Sequence, residues 1–384
     1  MDKIYLDSSA TTPVYPEAVQ AMVRCMNTDF GNPSSSHSFG RNAKKLLRHA
    51  RKQVAALLHA DEDEIFFTSG GTEADNLAVL GIAELYEKGH IITTPIEHHA
   101  ILRSCEHLAA KGFDITYLPV DIEGRVNAAD VERAIRPDTV LISVMHGNNE
   151  VGTVQPVEEI GRIASTCGIT FHVDAVQSLG KIEVDVERIG CDLLTCSSHK
   201  INGPKGVGAL YIRKGTAIGS MLFGGGQEKS IRSGTENMPG IVGFGKAAEI
   251  TAGTWRQNAD YTRDIRDYFF RRLVNEFDDI RINGSMVHRL PHNINFSVKG
   301  VDGISLMLLL DSAGIAVSTG SACSSDSVSA SHVLSAMNIG EEWLECTIRM
   351  TLSACNTKEQ MDYVIDMLKA KKKLLHEAMA LCSY

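Results

Sequence analysis

Between residues 60 and 212 short apolar runs alternate with helix-length amphipathic stretches. "HIITT" (90–94), "ITYLPV" (115–120), "TVLISVM" (139–145), "ITFHV" (169–173), "DLLTC" (192–196) and "GALYI" (208–212) are apolar along their whole length and rich in β-branched residues. Such runs read as strands buried on both faces. The stretches between them, such as "TEADNLAVLGIAELYEKG" (72–89) and "VEEIGRIASTCG" (157–168), carry apolar residues at helical spacing. The second ends at a glycine suited to a helix C-cap. Strands alternating with helices predict an α/β fold with a mostly parallel sheet covered on both faces. In that architecture chemistry gathers at the loops leaving the carboxyl ends of the strands.

A helical pattern over 241–277 leads into a different organisation. "DIRING", "HNINFSV", "DGISLMLLLDSAGIAVS", "SHVLSAM", "CTIRMTL" and a C-terminal helix predict a smaller α+β unit. The 384 residues exceed what one small core organises. The expected division is a large domain over 13–256 and a small domain formed by 1–12 with 257–384. There is no internal repeat, low-complexity segment or long charge run.

Composition narrows the classes of function. A net charge of -9 opposes a basic nucleic-acid-binding face, and direct nucleic-acid binding is not expected. "MDKIYLDSSATTP" lacks the apolar core of a signal peptide. The longest apolar run, "ISLMLLL" (304–310), is too short to span a bilayer. A cytoplasmic protein without a membrane partner is the expectation. Nine cysteines show no C-x-x-C and no Cys/His spacing for zinc, so most are expected to be reduced packing residues. Cys196, after an apolar run, is one of these. Cys323 differs, because "STGSACSSDS" (318–327) surrounds it with small polar residues, the composition of an exposed loop.

The residues that follow the strands carry the chemistry. Asp174 and Gln177 follow "ITFHV"; Ser197, His199 and Lys200 follow "DLLTC"; Asn149 lies in "HGNNEVG" after "ISVM". Gly71 and Thr72 open the first of the helical stretches above, and His98 in "PIEHHA" precedes another. Each has an ordinary explanation: a solvated lysine, a turn-capping aspartate, a satisfied histidine. Together, at successive strand ends in one layer, they match the needs of pyridoxal phosphate. Lys200 supplies the amine for a Schiff base, and Asp174 the carboxylate that keeps the ring nitrogen protonated. The helix start at Gly71–Thr72 offers donors to a phosphate, with Ser197 and His199 adding others. His98 is expected to lie on the ring and exchange protons, and Gln177 to donate to the phenolic oxygen. "GGGQE" (224–228) lacks the Lys-Ser/Thr of a P-loop and reads as a turn.

Over nearly its full length the chain resembles the NifS/IscS-type cysteine desulfurases, in the fold-type I (class V aminotransferase) group of pyridoxal phosphate enzymes. The resemblance rests on "YLDSSATTPV", "FGNPSSSHSFG", "FTSGGTEADNLA", "EHHA", "NNEVGTVQP", "HVDAVQSLGK", "SSHKINGPKGVGALYIR", "GGGQEKSIRSGTEN", "STGSACSS" and "IRMTL", in this order. It implies Lys200 as the covalent cofactor lysine, Asp174 as the ring-nitrogen partner and His98 as the stacking acid/base. Gly71, Thr72, Asn149, Gln177, Ser197 and His199 would complete the cofactor site. Thr235 would reach a phosphate across a homodimer interface. Arg349, with Asn149, would hold the substrate carboxylate, a task suited to a planar fork. Cys323 would accept sulfur from L-cysteine as a persulfide, leaving L-alanine.

The implied partners are a sulfur-accepting protein, either an iron–sulfur scaffold or a tRNA-thiolation enzyme. No resident metal is expected, although Cys323 could ligate an iron–sulfur cluster transiently during transfer. A selenocysteine lyase and a class V aminotransferase are the rival enzymes, and a non-catalytic sulfur carrier is a more distant alternative. Ser353 and Ala354 depart from the "SLGR" common in relatives, and Asn202 stands where an aromatic residue or histidine is commoner. "DSVSASHVL" replaces "LEPSHVL". The short tail lacks the extension many relatives use to dock a scaffold.

Overall fold

Alternation within the apolar runs decides which side of the main sheet each residue covers. In the computed structural model, which describes residues 3–319 and 330–382, Phe67, Ile92, Ile142, Leu194 and Ala209 join one core. Their neighbours Phe66, Ile91, Leu141, Leu193 and Leu210 join a second core on the opposite face. Both faces are therefore apolar because helices cover both.

The strands are Ile4–Tyr5 (β1), Ile65–Thr68 (β2), His90–Thr93 (β3), Asp114–Tyr117 (β4), Thr139–Met145 (β5) and Thr170–Asp174 (β6). Leu193–Ser197 (β7), Gly208–Ile212 (β8), Ile280–Ile282 (β9), Asn293–Val298 (β10), Ile315–Ala316 (β11) and Thr347–Thr351 (β12) follow. The helices are Pro16–Asn27 (α1), Ser38–Leu58 (α2), Gly71–Ala83 (α3), His99–Ala110 (α4), Ala128–Ala134 (α5) and Val157–Cys167 (α6). After them come Val186–Ile189 (α7), Met238–Glu276 (α8), Gly303–Ser312 (α9), His332–Ala336 (α10), Glu341–Leu344 (α11) and Lys358–Cys382 (α12).

The main sheet has the order β2-β8-β7-β6-β5-β3-β4. β4, β3, β5, β6 and β7 run parallel, as expected. Helices α4, α5, α6 and α7 supply the crossovers that parallel neighbours require. β8 is antiparallel to both β7 and β2, which makes the sheet mixed at that edge. β2 was not among the runs singled out as strands, and neither α1 nor α2 was anticipated. Helix α2 buries Leu47, Val54 and Leu58 against the first core.

Helix α8 has 39 residues and extends about 58 Å. Its first half gives Ile241 and Phe244 to the core of the main sheet. Its second half gives Ile265, Phe269 and Leu273 to a separate core with Ile294, Phe296, Ile348 and Met350. The latter four lie on the small antiparallel sheet β12-β10-β9. Ile4 and Leu6 also enter this core, and β1 pairs with β11. Cys25, Cys105, Cys191, Cys196 and Cys346 are buried. Among the described residues no helix is long and apolar enough to cross a membrane.

Close packing at the edge of the sheet shapes the turn that precedes α3. A Cβ on Gly208 would come within 2.7 Å of the Gly70 carbonyl carbon and 2.8 Å of the Cys196 carbonyl oxygen. Both are backbone atoms that cannot swing aside. Gly208→Ala is expected to cost about 1–3 kcal/mol through overpacking. Chemical denaturation is the measurement, and an unchanged midpoint would contradict this account of the turn.

Candidate active site

The carboxyl ends of β5, β6 and β7, the amino ends of α3 and α4, and β12 converge on a cavity of about 200 Å³. Gly71, Thr72, His98, Asn149, Asp174, Gln177, Ser197, His199, Lys200 and Arg349 all line it. Thr235 does not; it is exposed on the segment before α8. Cys323 lies outside the described residues.

Lys200 follows β7 on a single 3₁₀ turn. Its ammonium donates to the carbonyls of Ser9 and Ala10, the latter at 2.8 Å. These carbonyls belong to the "DSSATT" segment, which Thr12 ties back by donating to the His199 carbonyl at 2.9 Å. Gln177 Nε2 also donates to Ser9 O, at 3.0 Å. Asn202 has φ 62°, a left-handed conformation that asparagine tolerates better than most side chains. Its amide donates to Pro13 O, so this departure from the family pattern serves the turn after Lys200.

Asp174 ends β6, with Oδ1 accepting from Val176 N–H at 2.9 Å. Burial pushes its carboxyl up to about 6, against the pull of that N–H and of Lys200. Beneath it Asp75 is raised well above the carboxylate range by burial and by the charge of Asp174. Of the two, Asp75 is pushed further toward its protonated form, and Asp174 ionises more readily. His172 supports this layer through Ser143 at 2.9 Å and Thr195 at 3.0 Å.

His98 caps α4, and its Nδ1 accepts from Ala100 N–H at 3.1 Å. Burial lowers its pKa to about 4, with Lys200, His99 and His332 acting in the same direction. The ring is thus neutral at pH 7, with its proton on Nε2. His199 is likewise lowered to about 4, first by burial and then by Lys200 and Lys205. Its Nδ1 lies 3.2 Å from Thr11 Oγ1.

Arg349, only 2% exposed, stands at the centre of β12. Its guanidinium donates to Asp7 Oδ1 at 2.9 Å and to the Asn149 carbonyl at 3.3 Å. Nε is buried with no partner among the described residues, which leaves part of the fork for another acceptor. The Arg349 backbone exchanges two hydrogen bonds with Ser318. On the other side Ser331 donates to Glu150, and His332 Nε2 to the Glu97 carbonyl at 3.0 Å. The chain is pinned beside the cavity both before and after residues 320–329.

Asp7, Ser9, Asp75 and Glu97 lie within quoted motifs, yet none was assigned a role from sequence. Their parts depend on long-range neighbours. Glu97 shows this best: Oε1 accepts from Thr94 Oγ1 at 2.7 Å and from Met145 N–H at 3.0 Å. Oε2 is buried and unpartnered.

The cavity suits pyridoxal phosphate on its own chemistry. Helix α3 begins without a side-chain cap, so its first amides keep their donors. The hydroxyls of Thr72 and Ser197 have no partner among the described residues. An amine, a buried carboxylate and a flat neutral imidazole face the same space. Fold and donor set together define a pyridoxal-phosphate-dependent enzyme of fold type I.

Comparison with known proteins agrees. The family described as "Aminotransferase class-V" matches residues 4–364. "Cysteine desulfurase IscS" of Dictyoglomus turgidum is 50% identical over 369 residues, covering 96% of this chain and 94% of that protein. The protein of the same name from Methanosarcina thermophila is 47% identical over 95% of this chain and 91% of its own. Among solved structures, a "NifS-like protein" superposes with TM-score 0.90 at 39% identity, covering 97% of this chain and 99% of that one. "SspA in complex with cysteine" gives TM-score 0.81 at 36% identity, covering 92% and 100% respectively. The chain belongs to the class-V aminotransferase family, in its branch of NifS/IscS-type cysteine desulfurases.

Glu97 provides a pH test of the buried site. Burial raises its carboxyl to about 8, against the hydrogen bonds from Met145 and Thr94. A folded-state pKa above the unfolded value gives stability that is present at low pH and lost as pH rises toward the folded pKa. Wild type is therefore expected to lose stability relative to Glu97→Gln between about pH 4.5 and 8, on the order of a few kcal/mol. Thermal unfolding across that range is the check, and a pH-independent difference would contradict it.

Proposed function

We propose that the protein is a cysteine desulfurase that converts L-cysteine to L-alanine and moves the sulfur to Cys323. The observation that carries this reading is the meeting of Lys200, Asp174, His98 and Arg349 at one cavity. The chain on either side of the Cys323 segment is anchored beside that cavity through Ser318, Ser331 and His332.

When bound, pyridoxal phosphate withdraws electrons from the substrate Cα and so loosens first its proton and then the Cβ–S bond. The amides of Gly71 and Thr72 and the hydroxyls of Thr72 and Ser197 would hold its phosphate. Asp174 keeps a negative charge beside the ring nitrogen. The Arg349 fork binds the substrate carboxylate, with Asn149 alongside and Asp7 holding the guanidinium in place. Lys200 takes the Cα proton and returns it, its amine being freed once substrate is attached. His98, neutral and tautomerically set by Ala100 N–H, would lie against the ring and could offer its Nε2 proton.

The Cys323 thiolate attacks the substrate sulfur. An S–S bond forms as the C–S bond breaks, and the electron pair stays with carbon, which is protonated to alanine. The balance is L-cysteine plus protein thiol giving L-alanine plus protein persulfide. A second protein, an iron–sulfur scaffold or a thiolation enzyme, would receive the sulfur. The active unit in this reading is a homodimer, which accounts for the position of Thr235 away from its own chain's cavity. Phe223, 88% exposed, lies near it in sequence and suits a covered face.

Cys323→Ala is expected to keep the absorbance of bound cofactor but make no alanine from cysteine. Undiminished turnover would overturn the sulfur-acceptor assignment and favour an aminotransferase. Lys200→Ala should lose the band of the covalently held cofactor; its persistence would reject that lysine. His98→Asn preserves an N-cap acceptor and is expected to unfold near the wild-type temperature while turnover falls about 10²–10⁴-fold. Turnover within a factor of a few of wild type would remove His98 from the chemistry.

A further inference from the structure

A second cavity of about 370 Å³ shares walls with the first. The same segments line both with different residues. Ser9 faces the first and Ser8 the second; Lys200 the first and Ile201 the second; Gln177 the first and Lys181 the second; Arg349 the first and Leu352 the second.

Three polar groups on this wall have no partner among the described residues. Ser8 is 2% exposed and its Oγ makes no hydrogen bond. His292 is 1% exposed, its Nδ1 is unsatisfied and no hydrogen bond to its ring is present. Lys181 is half-buried, and its ammonium makes no hydrogen bond or ion pair among the described residues. No Asp or Glu lines the cavity, and Lys3 adds a further positive charge at the rim. Folded proteins pair nearly all buried polar groups such as those of Ser8 and His292, and a partly desolvated cation is stabilised by a counter-ion. The rest of the wall includes Pro13, Val14, Pro16, Ala259 and Leu352.

From this geometry we infer a binding site for a small organic monocarboxylate with an apolar body. Its carboxylate accepts from Lys181 and Ser8, His292 serves as a further polar partner, and its body lies against the prolines, Val14 and Leu352. A phosphate dianion fits poorly, because a single ammonium and neutral donors face a mostly apolar wall. The field around His292 agrees. Burial, then Lys181, Arg266 and Arg349, hold its pKa well below the ordinary value, so the imidazole is neutral. Lys181 is itself lowered to about 8 by burial and still carries its charge in most molecules at pH 7. Ser353 and Ala354, where the sequence leaves the family pattern, form part of the lining together with Cys355, and Ala354 is exposed. The site stands independently of the reading of the first cavity.

The test is calorimetric titration of the cofactor-loaded protein with hexanoate at pH 7. Saturable binding, one hexanoate per chain, is expected at millimolar concentration or below. Lys181→Met should weaken it at least about tenfold. Ala354→Phe, a substitution at an exposed position of the lining, should do the same without disturbing the fold, as circular dichroism would report. Saturating L-alanine, whose carboxylate and amine suit the first cavity, should leave hexanoate binding intact. No saturable heat up to about 20 mM, or wild-type affinity in either lining variant that folds, would overturn the site. Displacement of hexanoate by L-alanine would assign the carboxylate to the first cavity instead. Inorganic phosphate competing as strongly as hexanoate would overturn the ligand class.

Discussion

The buried guanidinium of Arg349 is the interaction on which the rest of the site depends. A charge this far from water is tolerated only when paired and hydrogen-bonded. Arg349 achieves this by drawing in the Asp7 carboxylate and the Asn149 carbonyl. Asp7 therefore cannot drift, and the segment after it is laid along β12. Ser8 N–H donates to the Thr351 carbonyl, and Ser9 N–H to Thr351 Oγ1. The same path turns the Ser9 and Ala10 carbonyls toward Lys200. One ion pair thus joins the N-terminal segment, the small sheet and the ends of the main-sheet strands at one cavity. A second cavity lies against the same segment.

Burial also sorts the charges. Glu97 and Asp75 are pushed toward their protonated forms, and His98, His172 and His199 toward neutrality. What remains ionised near the first cavity is Asp174, Lys200 and the Arg349–Asp7 pair. A cofactor with a cationic ring nitrogen and an anionic phosphate would meet one localised negative charge and a helix start rich in donors. This economy explains why a cavity of about 200 Å³ can hold so many titratable residues without mutual repulsion.

Much of the fold was legible. Buried strands of a parallel sheet are apolar on both faces, so "TVLISVM" and "ITFHV" announced β5 and β6 without structural help. Helix α8 was legible from its length and its apolar spacing. Helix α2 was missed even though "KKLLRHARKQVAALL" carries an amphipathic repeat, because its first two turns, "SFGRNAKK", show little apolar spacing. β2 was missed because four residues running directly into a helix motif give little periodicity. Its antiparallel pairing through β8 depends on which strand arrives beside it.

The amino-acid sequence by itself determined the apolar alternation, the succession of strands and helices from β3 to β8, and the candidates Lys200, Asp174, His98 and Arg349. These are local properties or motif properties, written in spacing and residue type. Only the tertiary structure decided that Asp7 would pair with Arg349, that Ser9 and Ala10 would hold Lys200, and that Glu97 would be an acid with its proton retained. It also left Lys181, His292 and Ser8 facing a cavity without partners. Protonation and pairing follow from burial and from neighbours hundreds of residues away in sequence, and no local pattern carries that information.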